Sequence, residues 1–366
     1  MATTTQDQAP LAQLAARLPQ IVAQAGHSEM WGVELAVSDE QQEGDEQQQG
    51  GNDAPTLVVL HKFLRANNDD VAAAEKQLTA ALEWRKAVDP AGLVGQPFDA
   101  RRFGGLGFVT THDDGAGRDV VVTWNVYGSV KDNKATFGNV EDFVKWRAAL
   151  MELGVQKLRL NDIKEPVAAG AEDPYRMIQV HDYQSVSFFR MDPDVKAASR
   201  ETIQTLSMAY PELLAHKYFV NVPAIMGWVF GAMKFFLAPA TLRKFHPMAS
   251  GTSLAAELPG IAQTLPVEYG GQGPSVSEGI SVRLTDDAAA VQDASAKSSE
   301  PPVLAAISES HNQEKPAANE YLAKTPAATA EPGSKAAQEP KPADETASGA
   351  EAAAPPAMLP TKEAAA

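Results

Sequence analysis

With 366 residues, 44% of them hydrophobic, the chain is long enough for one large domain or two ordinary ones and can bury a substantial core. It has no cysteine, which excludes disulfides, thiolate catalysis, cysteine zinc sites, iron–sulfur clusters and thiolate-ligated haem, so any metal would fall to His, Tyr or carboxylate. A formal net charge of −16 argues against nucleic acid as a partner and against tight residence on anionic lipid; contact with a membrane surface should be transient, peripheral and led by apolar side chains.

Leu11, Leu14, Leu18 and Ile21 recur at helical spacing and predict a short amphipathic helix over 8–25. The Gln, Glu and Gly run of 41–52 has nothing apolar to bury and is expected to be disordered, so 1–54 reads as a leading helix and a connector. From Thr56 two helix-forming segments, LVVLHKFLRANNDD and VAAAEKQLTAALEWRKAVDP, stop at Pro90 and predict a small helical lobe over 55–100. Over 101–273, β-branched runs at Leu106–Thr111, Val120–Tyr127, Arg176–Tyr183 and Lys217–Val222 alternate with long helical patterns, the signature of an α/β sheet. Beyond about Gly273 the composition turns to Ala, Pro, Glu, Ser and Lys without apolar period, and 274–366 is expected to be a disordered acidic tail. With no signal peptide and no apolar run of about 18 residues, the expected location is cytoplasmic.

Three of the strands share an odd face. Because strand side chains alternate, Val121, Thr123, Asn125 and Tyr127 fall on one side of the second strand, Met177, Gln179, His181 and Tyr183 on one side of the third, and Lys217, Phe219 and Asn221 on one side of the fourth. Such a mixed face either lines a cavity within a covered parallel sheet or is the wet face of an antiparallel one. The helix FVKWRAALMELGVQKL places Arg147 inside the stripe Phe143, Trp146, Leu150, Met151, Gly154 and Leu158. An arginine there must find an anion, either a buried carboxylate or the phosphate or propionate of a ligand. Ile225–Leu237, apolar all round except Lys234, is either a core helix or a lid; Gly227, Gly231 and the flanking Pro223 and Pro239 favour the lid.

LHKFLRAN…WRK, TWNVYG, YPELLAHKYFVNVP, IMGWVFGAMKFFLAP, TLRKF and LPVEYGG, in this order over roughly 55–273, resemble a CRAL-TRIO lipid-binding domain of the fungal phosphatidylinositol-transfer type. Within that family TWNVYG, FVKWRAALME, QVHDYQSVSFFRMD and HKYFVNVP are most similar to the non-classical, haem-binding phosphatidylinositol transfer branch. The resemblance implies an α/β fold in which a mixed or parallel sheet floors an apolar pocket, with a helical N-terminal lobe and a hydrophobic gate helix. It implies phosphatidylinositol as a partner and peripheral association with the endoplasmic reticulum or other internal membranes.

For the lipid headgroup the family pattern points to Glu212 in YPE and to Thr241 and Lys244 in TLRK, whose carboxylate, hydroxyl and ammonium suit inositol hydroxyls and a phosphodiester. Where lipid-dedicated members carry a basic pair after FLRA, this chain has Asn67 and Asn68. For haem b the branch points to Tyr127, Arg147, His181, Tyr183 and Lys217 as pocket residues. Tyr183 is expected to be the axial ligand of ferric iron, with His181 on the same strand face about 7 Å away at strand rise. Arg147 and Lys217 would face propionates, and Tyr127 the macrocycle edge. An aromatic that the branch carries in its first lobe is replaced by Asn67.

No GxSxG, HExxH, P-loop or GxGxxG stands in the context its chemistry requires, and the glycine-rich RRFGGLGF leads into a strand instead of opening a helix, so the chain is not expected to be an enzyme. The expected function is phosphatidylinositol transfer by a haem-binding protein, linked to phosphoinositide homeostasis or to haem and oxidant handling. The alternative is a haem-binding protein with weak peroxidase-type chemistry and no lipid transfer.

Overall fold

The computed structural model describes residues 8–36, 53–168, 170–186, 192–223 and 243–291. The connector 41–52, the apolar helix Ile225–Leu237, Thr241 and the tail beyond 291 lie outside them.

Helix α1 runs Gln8–Ala25, as the leucine spacing predicts, but it does not stand apart. Leu14, Leu18 and Ile21 are buried in the same core as Val59, Leu60 and Phe63 of helix α2 (Ala54–Ala66) and Leu78 and Leu82 of helix α3 (Val71–Val88). Trp31, in the hairpin that follows α1, stacks on Phe63 with centroids 5.4 Å apart. The lobe therefore begins near residue 8 and not at 55, because α1's apolar stripe needs a partner and α2 and α3 supply it. Short polar residues set the helix starts: Asp53 accepts from the Thr56 amide ahead of Pro55, and Asp70 accepts from those of Ala72 and Ala73.

The central sheet has five strands in the order β1 (Gly107–Asp113), β2 (Asp119–Val126), β3 (Met177–Asp182), β4 (Leu214–Val220) and β5 (Phe245–Pro247). Only β1 and β2 are antiparallel; β2 through β5 are parallel, and both faces of β3 are buried throughout. That removes the wet-face reading of the polar residues. One face, with Val122, Trp124, Ile178, Val180, Tyr218 and Val220, packs on Leu254, Ile261, Leu265, Tyr269 and Val276 from the C-terminal segment. Helix α4 (Val140–Lys157) lies on the other face so closely that a Cβ on Gly154 would sit 2.9 Å from Thr123 Cγ2. Every residue of α4 from Phe143 to Val155 is buried, a wider burial than its stripe predicts, because helix α5 (Pro193–Ala209), the lobe and the sheet surround it.

Two expectations are corrected by this packing. The fold does not stop at Gly273: Val276 and Val282 are buried, and Leu284–Thr285 pairs in parallel with Phe98–Asp99, so 274–291 belongs to the folded body. Few apolar residues here do the anchoring, so composition alone hid it. Asn221 also leaves its expected face, because a left-handed φ of 58° reverses the alternation just past β4.

Candidate functional site

The parallel register lays the odd face out in rows. Thr123, Gln179 and Lys217 stand side by side on β2, β3 and β4, and Asn125, His181 and Phe219 form the next row. Just past the strand ends come Tyr127, which opens a short 3-10 turn, and Tyr183, whose amide donates to the Val220 carbonyl at 3.1 Å. The rings of Tyr127, His181, Tyr183 and Phe219 then meet: centroids are 5.4 Å apart for Tyr127 and His181, 5.8 Å for Tyr127 and Tyr183, and 6.3 Å for His181 and Tyr183. Phe219 stacks on Tyr183 at 6.4 Å and meets His181 edge-on at 5.9 Å.

Arg147 enters from α4 and is buried, its guanidinium 5.8 Å from the Trp146 ring. Lys217 Nζ lies 5.5 Å from the Phe219 ring. Among the described residues neither cation has a carboxylate within ion-pair distance, so the buried-ion-pair reading of Arg147 finds no support there. Arg147 Nε, His181 Nε2 and Asn125 Oδ1 are buried without a hydrogen-bond partner among the described residues. Tyr183 and Lys217 keep some accessible surface although protein surrounds them, as the wall of a concavity does.

The electrostatics follow from these placements. Burial, reinforced by Arg147, pushes the Lys217 ammonium down to about 7. Burial also holds the His181 imidazole well below its ordinary value, and the charges of Lys217 and Arg147 add to this. The Tyr183 phenol is pushed up by burial and by Tyr127, with Arg147 opposing. The wall is aromatic and positive, and nothing anionic among the described residues answers it. Its chemistry suits a flat or apolar ligand that ends in a carboxylate or phosphate.

Of the expected headgroup residues, Glu212 and Lys244 form a second group, near the start of β4. Lys244 Nζ donates to Glu212 Oε2 at 3.1 Å, and Glu212 holds a left-handed φ of 54°. Glu212 also lines a cleft of about 240 Å³ with Arg65, Ala171, Glu172, Asp173 and Arg176. In that cleft Arg176 pairs with Glu172, and Asp173 with the buried Lys62, while Arg65 forms no ion pair among the described residues. Asn67 belongs to neither group: its amide nitrogen donates to the Phe63 carbonyl and to Gln77, which in turn bonds the Ser207 and Met208 carbonyls of α5.

Sequence reasoning missed Phe219 and Arg65 as site residues. Phe219 was visible as the alternate neighbour of Lys217 on one strand face. Arg65 was visible only as part of FLRAN, with no sign that a loop at 171–176 would close a cleft over it.

Comparison with known proteins completes the description. A family model described as CRAL/TRIO domain matches residues 105–271, and one described as CRAL/TRIO, N-terminal domain matches 10–80, in line with a lobe that includes α1. A Sclerotinia sclerotiorum protein named phosphatidylinositol transfer protein sfh5 is 52% identical over 286 residues, covering 78% of this chain and 66% of its own length. An Aspergillus fumigatus protein of the same name is 51% identical over 282 residues, 76% of this chain and 63% of its own. The matched stretch thus spans less than two thirds of these relatives. A solved structure described as the crystal structure of Sfh5 superposes with a TM-score of 0.62 at 26% identity, covering 81% of this chain and 98% of that one.

Proposed function

The chain belongs to the CRAL/TRIO family, and on that premise we propose that it is a phosphatidylinositol transfer protein whose pocket also holds haem b. The observation that carries the haem reading is the pair Arg147 and Lys217, the first buried and the second half-buried on an aromatic wall, with no acid among the described residues to balance them. A buried cation without a partner is costly, and a ligand that brings two carboxylates removes the cost.

The residues present fit such a ligand. Tyr183 would offer its phenolate oxygen to ferric iron, and His181 stands beside it as a neutral imidazole with Nε2 unpartnered. Arg147 and Lys217 would hold the propionates, and Tyr127 and Phe219 would pack on the ring. Haem held by a phenolate supplies at most slow peroxidase-type chemistry, so the reading is of a carrier and not an enzyme. Burial favours the protonated Tyr183 phenol, and binding to iron would have to remove that proton.

The lipid part rests on the relatives' names and on the cleft of Arg65, Glu212 and Arg176 with Lys244 beside it, where an ammonium and a guanidinium suit a phosphodiester. Peripheral docking at internal membranes, the endoplasmic reticulum among them, belongs to the same proposal. A second reading, haem binding with weak peroxidase-type chemistry and no lipid transfer, is favoured by one observation: Glu212 and Lys244 already satisfy each other, whereas the pocket cations have no such partner among the described residues.

Two measurements on the full chain separate these readings. An absorption spectrum of the purified protein should show a stoichiometric Soret band; its absence after reconstitution with hemin would end the haem reading. Transfer of labelled phosphatidylinositol between vesicles should fall in Lys244→Ala without loss of fold. No transfer by the unmutated chain would leave the second reading standing.

A further inference from the structure

Two imidazoles belong to neither site. His216 on β4 and His246 on β5 sit on the sheet face opposite Lys217, since Tyr218 pairs with His246 in the parallel register and His216 is the next same-face residue before it. His216 Nδ1 and His246 Nε2 are 3.0 Å apart, and the His246 ring is stacked on Tyr218 with centroids 4.6 Å apart and planes 21° from parallel. His216 is exposed and His246 half-buried, so solvent reaches both.

We propose that His216 and His246 form a two-imidazole site for a divalent cation of the zinc or copper class, with water in the remaining positions. The spacing is the first support. With metal–nitrogen bonds of about 2.0–2.1 Å, two ligand nitrogens stand about 2.9 Å apart at a right angle and about 3.4 Å apart at the tetrahedral angle. The observed separation lies between these limits, so the spacing of the two nitrogens need change little on ligation. The stacked Tyr218 fixes one ring in advance, which lowers the ordering cost of ligation.

Protonation and charge agree with this. Both rings sit below the ordinary histidine value: burial lowers His216, helped by Arg176 and Lys244 and opposed by Glu172, and burial lowers His246, helped by His216 and opposed by Glu257. Neutral imidazole is the ligating form. Without a cation, one ring nitrogen must carry the proton that lies between the rings. Moving that proton to the other nitrogen of whichever ring carries it frees two facing lone pairs, with no net proton lost. The cations nearest the pair are already countered, Arg176 by Glu172 and Lys244 by Glu212. Among the described residues no third His, Cys, Asp or Glu completes a cluster of three, so each histidine should be essential, and imidazole selects zinc or copper over magnesium or calcium.

The test is calorimetric titration of zinc(II), and separately copper(II), into the full chain in a non-chelating buffer. One equivalent should bind, and the copper complex should show nitrogen coupling in its electron paramagnetic resonance spectrum. His216→Asn and His246→Asn should each weaken binding at least about tenfold. His181→Ala, which alters the pocket, should leave it unchanged. Because His216 is exposed, His216→Asn keeps the fold and decides the matter even if His246→Asn does not fold. No binding by the unmutated chain, undiminished binding by His216→Asn, or loss of the equivalent in His181→Ala would overturn the proposal.

Discussion

His181 and Asp182 are consecutive residues of one strand, buried to 7% and 5% exposure, and they point to opposite faces of the sheet. Asp182 accepts from the Gln184 amide at 2.8 Å, from Asn221 Nδ2 at 2.7 Å and from Tyr269 Oη at 2.9 Å. His181 Nε2 has no partner among the described residues, and the charges there that bear on the ring are both cationic. Equal burial thus hides opposite states. On the Asp182 face Gln184, Asn221 and, from the C-terminal segment, Tyr269 all donate to the buried carboxylate; on the His181 face Arg147 Nε, His181 Nε2 and Asn125 Oδ1 find no partner among the described residues. Satisfaction, and not burial, separates core from ligand wall.

The largest effect should come from the satisfied face. Asp182→Ala strands two side-chain donors and a backbone amide, at about 1–3 kcal/mol for each group left unpaired, so urea denaturation should show a loss of about 4 kcal/mol. His181→Ala should cost far less, and equal losses would break the comparison. A chain ended after Gly273 loses buried Val276 and Val282 and a strand pair, and should be about 3 kcal/mol less stable than one ended after Val291. Identical thermal midpoints for the two would return the boundary to Gly273.

Smaller effects sharpen the unanswered face. The folded, empty chain holds Lys217 near 7, below the ordinary lysine value of 10.5, so between these values the unfolded chain binds more protons and stability should rise with pH. Below about 7 the full penalty applies, and above about 10.5 it vanishes. Lys217→Met should flatten that rise and stabilise the empty chain by about 1 kcal/mol while weakening its hold on hemin. Denaturation curves across that pH range check the first point and hemin titration the second. Tyr183→Phe keeps the ring's volume, so the chain should stay folded and yet lose or alter its haem spectrum. An unaltered spectrum at full occupancy would move the axial role to His181.

Much of this was legible in the sequence because it follows period. Alternation placed Thr123, Asn125, Gln179, His181 and Lys217 on one face, and helical spacing put Arg147 among apolar neighbours. What period cannot reach is contact between distant segments. Val276 and Val282 sit in a polar run, and only the Phe98–Asp99 ladder and the sheet give them somewhere to go. Asn221 read as a member of the His181 face until its left-handed backbone turned it toward Asp182 and the Gly251 amide. The stretch before residue 54 looked detachable because its partner surface lies on α2 and α3, beyond a polar run.

Arg85 of α3 is fully enclosed, and it holds Glu29 of the N-terminal hairpin with Nε and Nη2 and Glu152 of α4 with Nη1 at 2.6 Å, while the Tyr210 hydroxyl donates to the same Glu152 oxygen at 2.7 Å. One positive charge therefore answers two negative ones, and the three groups come from three separate stretches of chain. Such a joint limits modularity. A hybrid that takes its first ninety residues from a relative and the rest from this chain must bring a matching guanidinium and carboxylate to the seam, or it encloses Glu152 with no counterion. The lobe and the sheet can be exchanged only as a set.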